Sequence, residues 1–146
     1  MISKSKIKHL RSLKHKKYRG LGKEFLVEGT RIVSSALEAN TVLKTVLLTD
    51  IYKNSPSSQN ILADIEKAGV AIINVNGRTM KSIATTEHPS GIAGICSLPE
   101  TQNSFIHTRQ PLIFLDAISD PGNMGTILRS TSWFGIQNIA LSPNCV

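Results

Sequence analysis

The sequence has only two cysteines and no long apolar segment, and these two features limit the classes of protein to which it can belong. Its two cysteines, Cys96 and Cys145, lie 49 residues apart, a spacing that matches no zinc motif and does not indicate a disulfide framework. The first ten residues lack the continuous apolar segment of a signal peptide, and no run approaches the roughly 18 apolar residues of a membrane helix. The four histidines have no cysteine or carboxylate at metal-ligand spacing. We therefore expect a cytoplasmic protein that neither enters a membrane nor binds a metal.

Acidic residues are absent from the first 23 residues, which contain nine Lys and Arg. From residue 24 onward, eight basic residues are set against ten acidic ones, so this part has a charge of −2 within a total of +7. The basicity is therefore local, which excludes a uniformly basic composition of the ribosomal-protein type. We predict that the basic segment contacts RNA phosphates and that Arg31 extends its surface; the predicted contacts are Lys14, Lys16, Lys17 and Arg19. The alternative is a solvated helix that only packs on the rest of the protein, through Ile7, Leu10 and Leu13.

The pattern of apolar residues predicts four segments. Residues 1–23 read as a basic helix with Tyr18 in its apolar seam, ended by Gly20 and Gly22. Strands and helices alternate over residues 24–98, with a polar loop over residues 52–60, which indicates an α/β domain of about 75 residues. Residues 99–110 are poor in apolar side chains and read as a linker.

Residues 111–146 predict one β-α-β unit. An apolar strand over residues 112–117 is followed by a loop, a helix over residues 124–134 and a strand over residues 137–141. A single unit of this kind cannot bury both faces of its sheet. We therefore expect the sequence to stop inside its second domain and to be part of a longer protein.

The loop after the first strand of this unit is where open α/β sheets bind ligands. Asn123 is predicted to cap the helix, and Arg129, six residues on, can reach back toward the loop because helical side chains lean toward the N-terminus. A cation and an amide would then meet where a phosphate or ribose could bind. The alternative is that Asn123 only caps and that Arg129 only pairs with Asp116 or Asp120. Trp133 is expected in the core, as is Phe134.

These residues carry a family resemblance. The segment from 111 to 143 resembles the first motif of the SpoU-type RNA 2′-O-ribose methyltransferases, which belong to the knotted SPOUT superfamily. Residues 25–29 and 89–92 are similar to that family's N-terminal substrate-binding domain, and the basic segment resembles the helix before it. The motif itself is Asp120-Pro121-x-Asn123-x-Gly125-x-x-x-Arg129.

The resemblance implies a fold and an activity. The fold would be α/β, with a small three-layer, ribosomal-protein-like substrate-binding domain followed by the first β-α-β of a knotted methyltransferase domain. The activity would be transfer of a methyl group from S-adenosylmethionine to a ribose 2′-hydroxyl in ribosomal or transfer RNA, by a homodimer. Arg129 would help activate the hydroxyl and Asn123 would support the same site, while the cofactor-binding residues are expected beyond Val146. The alternative function is a non-catalytic RNA-binding module with a basic arm.

Overall fold

The computed structural model describes residues 2–39, 43–98 and 111–146. The chain divides into two compact units, Met1–Thr101 and Gln102–Val146. The predicted linker over residues 99–110 lies outside the described residues, as do Asn40 and Val42.

A four-stranded sheet forms the centre of the first unit. Its strands are β1 (Glu24–Glu28), β2 (Leu43–Leu48), β3 (Ala71–Asn74) and β4 (Ile92–Ser97), in the order β1-β4-β2-β3. β4 is antiparallel to both neighbours, and β2 and β3 are parallel. These strands follow the apolar, β-prone runs of the sequence, and the parallel pair is joined by helical structure, as is usual for parallel connections.

Helices cover both faces of this sheet. The helices of the unit are α1 (Lys4–Ser12), α2 (Lys16–Gly22), α3 (Thr30–Glu38), α4 (Asp50–Lys53), α5 (Gln59–Lys67) and α6 (Gly77–Ile83). Side chains of β2 alternate between the faces, so Val46 belongs to a core with α3, α4 and α5, and Leu47 to a core with α1 and α6. The predicted α/β fold is confirmed for this unit.

The basic segment differs from the single helix that we predicted. It forms two helices, because the chain turns at residues 13–15 and the Arg19 guanidinium donates from Nη1 to the carbonyls of Leu13 (3.2 Å) and Lys14 (3.0 Å). Gly20 does not end α2, which continues to Gly22; a glycine inside a helix costs only about 1 kcal/mol. Leu10 and Leu13 are almost fully buried, so the segment packs on the sheet as part of the first unit.

The polar loop predicted over residues 52–60 is also wrong. This stretch holds the end of α4, a 3₁₀ turn at Pro56–Ser58 and the start of α5. The Thr49 hydroxyl caps α4 by accepting from the Tyr52 N–H (3.3 Å), and the Tyr52 side chain is buried. A cap and one buried aromatic residue therefore produce helical turns in a sequence that is otherwise polar.

The second unit is the predicted β-α-β. Its parallel strands β5 (Leu112–Leu115) and β6 (Asn138–Leu141) flank α7 (Pro121–Trp133). Leu115, Met124 and Cys145 form its small core. Trp133 is 89% exposed and Phe134 83%, so their expected burial is wrong for the described residues. Trp133 lies nine residues after Met124, which puts it on the opposite side of the helix from the core.

Candidate functional site

The loop after β5 is held by the segment that follows β6. Ala117 has a left-handed backbone (φ 53°), and its N–H donates to the Ser142 hydroxyl (3.0 Å). The Ser142 N–H donates to the Leu115 carbonyl (2.9 Å), and the Val146 N–H donates to the Ile118 carbonyl (3.0 Å). A non-glycine residue in this conformation stores strain of about 1–2 kcal/mol, which the surrounding hydrogen bonds must offset. The loop thus enters α7 in one defined path.

Asp120, and not Asn123, caps α7. The Asp120 Oδ1 accepts from the Asn123 N–H (2.7 Å), and Pro121 occupies the first helical position. Our prediction of Asn123 as the cap is therefore wrong, because Asp followed by Pro is the stronger helix-start signal. The Asn123 side chain is exposed in the first turn of the helix, beside the positive end of the helix dipole.

Arg129 extends toward the start of α7, the direction that its spacing predicts. Its Nη2 donates to the Thr126 hydroxyl (3.1 Å), and that hydroxyl donates to the Gly122 carbonyl (2.9 Å). A Cβ added at Gly125 would lie 3.4 Å from the Arg129 Nη1, so the guanidinium lies against this glycine. The sequence analysis did not predict that Thr126 positions Arg129. The three-residue spacing could have indicated it, because side chains three apart on a helix are neighbours.

The alternative expectation for Arg129 was an ion pair with Asp116 or Asp120. Over residues 2–39, 43–98 and 111–146, the ion pairs join Glu24 to His9 and to Lys44, and Arg129 takes part in neither. The guanidinium is exposed and bonded to a neutral hydroxyl, so it keeps its full charge for a ligand. An exposed guanidinium and an exposed amide on the first turns of one helix can stabilise a phosphate or a developing alkoxide.

The second unit also bears on where a cofactor could bind. S-adenosylmethionine, the cofactor implied by the resemblance, needs a pocket that encloses its adenine ring and sulfonium group. Asp116, Asn123 and Arg129 are exposed, whereas Leu115 and Met124 are buried in the unit's own core. The polar side chains of the proposed site therefore lie at the surface, and the apolar ones fill the unit's own core.

The predicted RNA-contacting residues lie on three helices or their ends. Lys14 follows α1, and Lys16, Lys17 and Arg19 lie on α2; all except Arg19 are exposed. Arg19 is half-buried and shares a groove with Lys14. Arg31 is exposed on α3, which packs on the other face of the sheet from α1. The structure therefore groups the first four residues and separates Arg31 from them.

Two carboxylates in the first unit were missed by the sequence analysis. Glu24 contacts His9 Nε2 (2.8 Å) and accepts from Lys44 Nζ (2.9 Å), which ties α1 to β1 and β2. Burial raises the pKa of the Glu24 carboxyl, but hydrogen bonds from His9 and Lys44 outweigh it and hold the pKa below its usual value. The two partners of Glu24 lie 15 and 20 residues away in sequence, beyond the reach of any local pattern.

Glu28, at the end of β1, holds the segment after α6. Its Oε1 accepts from the Thr85 N–H (2.6 Å) and hydroxyl (2.7 Å), and its Oε2 accepts from the Thr86 hydroxyl (2.8 Å). Burial raises the pKa of Glu28, and the hydrogen bonds from the two threonines lower it below its usual value. This carboxylate is therefore structural.

The part of the chain that the structure describes contains neither a metal-binding cluster nor a membrane-spanning helix. No cluster of three or more His, Cys, Asp or Glu there could hold a metal ion. No described helix has the length and apolar character needed to cross a membrane.

Comparison with known proteins adds a family context. A family model, the MRM3-like substrate binding domain, matches residues 4–94. The chain is 29% identical over 136 residues to the 23S rRNA (guanosine(2553)-2′-O)-methyltransferase RlmP of Bacillus subtilis, covering 93% of this chain and 50% of RlmP. It is 33% identical over 141 residues to the mitochondrial rRNA methyltransferase 3 of Xenopus tropicalis, covering 91% of this chain and 32% of that protein.

A solved structure has the same fold. The AdoMet-bound rRNA methyltransferase from Sinorhizobium meliloti is 26% identical, with a TM-score of 0.77 over 100% of this chain and 54% of that one. This chain therefore spans about half the length of that structure and half or less of the two curated relatives.

Proposed function

The chain belongs to the MRM3-like substrate binding domain family, and from this membership we propose that it is the RNA-binding part and first catalytic motif of an S-adenosylmethionine-dependent RNA 2′-O-ribose methyltransferase. Its resemblance to the SpoU-type enzymes is confirmed at the level of the family. The methyltransferase activity is part of the proposal, because this chain spans only half or less of the curated relatives. The residues described here act on the RNA side of the reaction.

The observation that carries the proposal is the position of Arg129. Its guanidinium is exposed, bonded to Thr126 and folded back toward the exposed Asn123. A ribose 2′-hydroxyl is a poor nucleophile until its proton is lost. Because arginine stays protonated, Arg129 would stabilise the oxygen electrostatically as negative charge develops, and Asn123 would orient the ribose through its amide.

The cofactor would supply the methyl group. We propose that the residues that bind S-adenosylmethionine lie outside the described residues. A homodimer and a cytoplasmic location remain predictions for this protein.

Ribosomal RNA is the proposed substrate class. The names of RlmP and of rRNA methyltransferase 3 refer to ribosomal RNA, which supports this choice over transfer RNA. Within the first unit, the exposed lysines of α1 and α2 supply the positive charge that RNA phosphates require.

The test is a map of ribose methylation in ribosomal RNA from cells with and without the gene. We expect one 2′-O-methyl position to disappear on deletion and to return with the wild-type gene. A map that does not change on deletion, together with RNA binding by the purified protein, would instead support the non-catalytic RNA-binding module.

A further inference from the structure

A groove on the surface of the first unit lies along α1 and α2. Its volume is about 670 Å³, and its walls include Lys8 and Arg11 from α1, His15 from the turn, and Tyr18 from α2. None of the four predicted RNA-contacting residues of this segment lines it. The groove is therefore distinct from the surface formed by the four basic residues that were predicted from the sequence.

One wall of the groove is cationic. Lys8 and Arg11 are exposed and three residues apart on α1, so their side chains lie on the same side of the helix. No acidic residue occurs in the first 23 positions, and within the described residues neither side chain takes part in an ion pair. His9 also lines the groove, and the Glu24 carboxylate that it contacts is bonded to Lys44 as well. This wall therefore favours an anionic ligand.

The other wall is aromatic. Tyr18 was expected in the apolar seam of the helix, but it is 46% exposed. Its ring meets the ring of His15 edge to face, with centroids 6.2 Å apart and planes at 69°. In an edge-to-face contact the edge of one ring covers only one face of the other ring, so a flat ligand can stack on a ring face that stays uncovered.

We propose that this groove binds a single-stranded segment of the RNA substrate, with one unpaired base stacked on Tyr18 and the adjoining phosphates on Lys8 and Arg11. An exposed aromatic ring beside cations is the combination that binds single strands, whereas base faces are hidden in an A-form duplex. The proposal rests on the proposed function, because it names the RNA structure that the enzyme engages.

The stacking contact is tested with the full chain and a fluorescein-labelled, 12-nucleotide single-stranded RNA of mixed sequence, by fluorescence anisotropy. Tyr18→Ala is expected to raise Kd by a factor between about 5 and about 150, which corresponds to the loss of one stacked base. Tyr18→Phe keeps the ring and is expected to change Kd by less than about two-fold. With an abasic oligomer of the same length, wild type and Tyr18→Ala should bind equally.

The phosphate contacts are tested by salt dependence. The double substitution Lys8→Gln and Arg11→Gln should reduce the slope of log K against log salt by about 1.4, since each single-strand phosphate contact contributes about 0.7. The matched control, Lys53→Gln with Lys67→Gln, removes two exposed lysines from α4 and α5 on the other face of the sheet and should leave the slope unchanged.

Wild-type affinity in Tyr18→Ala, with its circular dichroism unchanged, overturns the proposal. If that variant does not fold, ultraviolet crosslinking of a 4-thiouridine RNA to the wild-type chain decides: a crosslink at Tyr18 or its neighbours in the groove supports the site, and crosslinks confined to other elements overturn it. Failure of the proposed function is distinguishable. If RNA binding depends on Tyr18 but gene deletion leaves the methylation map unchanged, the groove is supported and the methyltransferase function is rejected. If gene deletion removes a methyl group but RNA binding does not depend on Tyr18, only the groove is rejected.

Discussion

Replacing Gly91 by alanine should destabilise the first unit strongly. Gly91 precedes β4 with φ +92°, and a Cβ there would lie 2.6 Å from Thr49 Oγ1 and 2.8 Å from Tyr52 Cβ. The backbone strain costs about 1–2 kcal/mol and the crowding about 1–3 kcal/mol. The crowding cannot relax easily, because Thr49 caps α4 and also donates through its N–H to the Gly91 carbonyl (2.9 Å). The expected loss of unfolding free energy is therefore about 2–5 kcal/mol.

Alanine substitutions at two other glycines separate the cost of backbone strain from the cost of crowding. Gly69 also has positive φ (+66°) but has no atom within 4 Å of an added Cβ, so Gly69→Ala should cost about 1 kcal/mol from strain alone. Gly20 lies inside α2 with open space around it, so Gly20→Ala should stabilise by about 0.5–1 kcal/mol. The assay is urea unfolding followed by far-ultraviolet circular dichroism. A cost for Gly91→Ala no larger than that for Gly69→Ala would refute the packing argument.

Three further predictions concern single side chains. Thr126→Val removes the hydrogen bond that positions Arg129, so it should lower the rate of the proposed methyl transfer about five-fold at unchanged RNA affinity. Thr126→Ser should retain the rate, and equal rates in all three proteins would contradict this prediction. The lowered pKa of Glu28 means that its contribution to stability is present above the ordinary carboxyl pKa of 4.5 and is lost as pH falls through the lower folded value. Glu28→Gln should therefore cost about 1 kcal/mol at neutral pH and lose less stability than wild type on acidification, and parallel pH profiles in urea melts would count against it. Ala117→Gly should raise the melting temperature of the second unit, because glycine removes the strain of the left-handed backbone conformation at residue 117. This gain should exceed the roughly 0.5–1 kcal/mol of chain entropy that glycine costs. A lower melting temperature would show that Ala117 is not strained.

Much of the fold follows from local patterns in the sequence. The apolar, β-prone run that forms β2 and the spaced apolar residues of α5 both encode their structure within a few residues. The order of β5, α7 and β6 was predicted for the same reason. The polar stretch after β2 was misread because its helical turns depend on the burial of Tyr52, a tertiary contact with no local signature.

The candidate site was predicted in part. The backward reach of Arg129 follows from helix geometry, whereas the cap was assigned to Asn123 although Asp120 followed by Pro121 carries the stronger signal. The groove at Tyr18 could not be predicted, because it depends on the turn between α1 and α2. That turn is stabilised by Arg19, a residue whose charge had suggested only RNA contact.

The most direct test of the account is the ribose-methylation map of ribosomal RNA in cells whose copy of the gene carries Arg129→Ala, expressed at the wild-type level. We predict that the 2′-O-methyl group lost on deletion is also absent in this strain, while the purified variant still binds RNA as wild type does, since the first unit is untouched. Full methylation at that position with Arg129→Ala would contradict the role of Arg129 and the catalytic interpretation of the second unit.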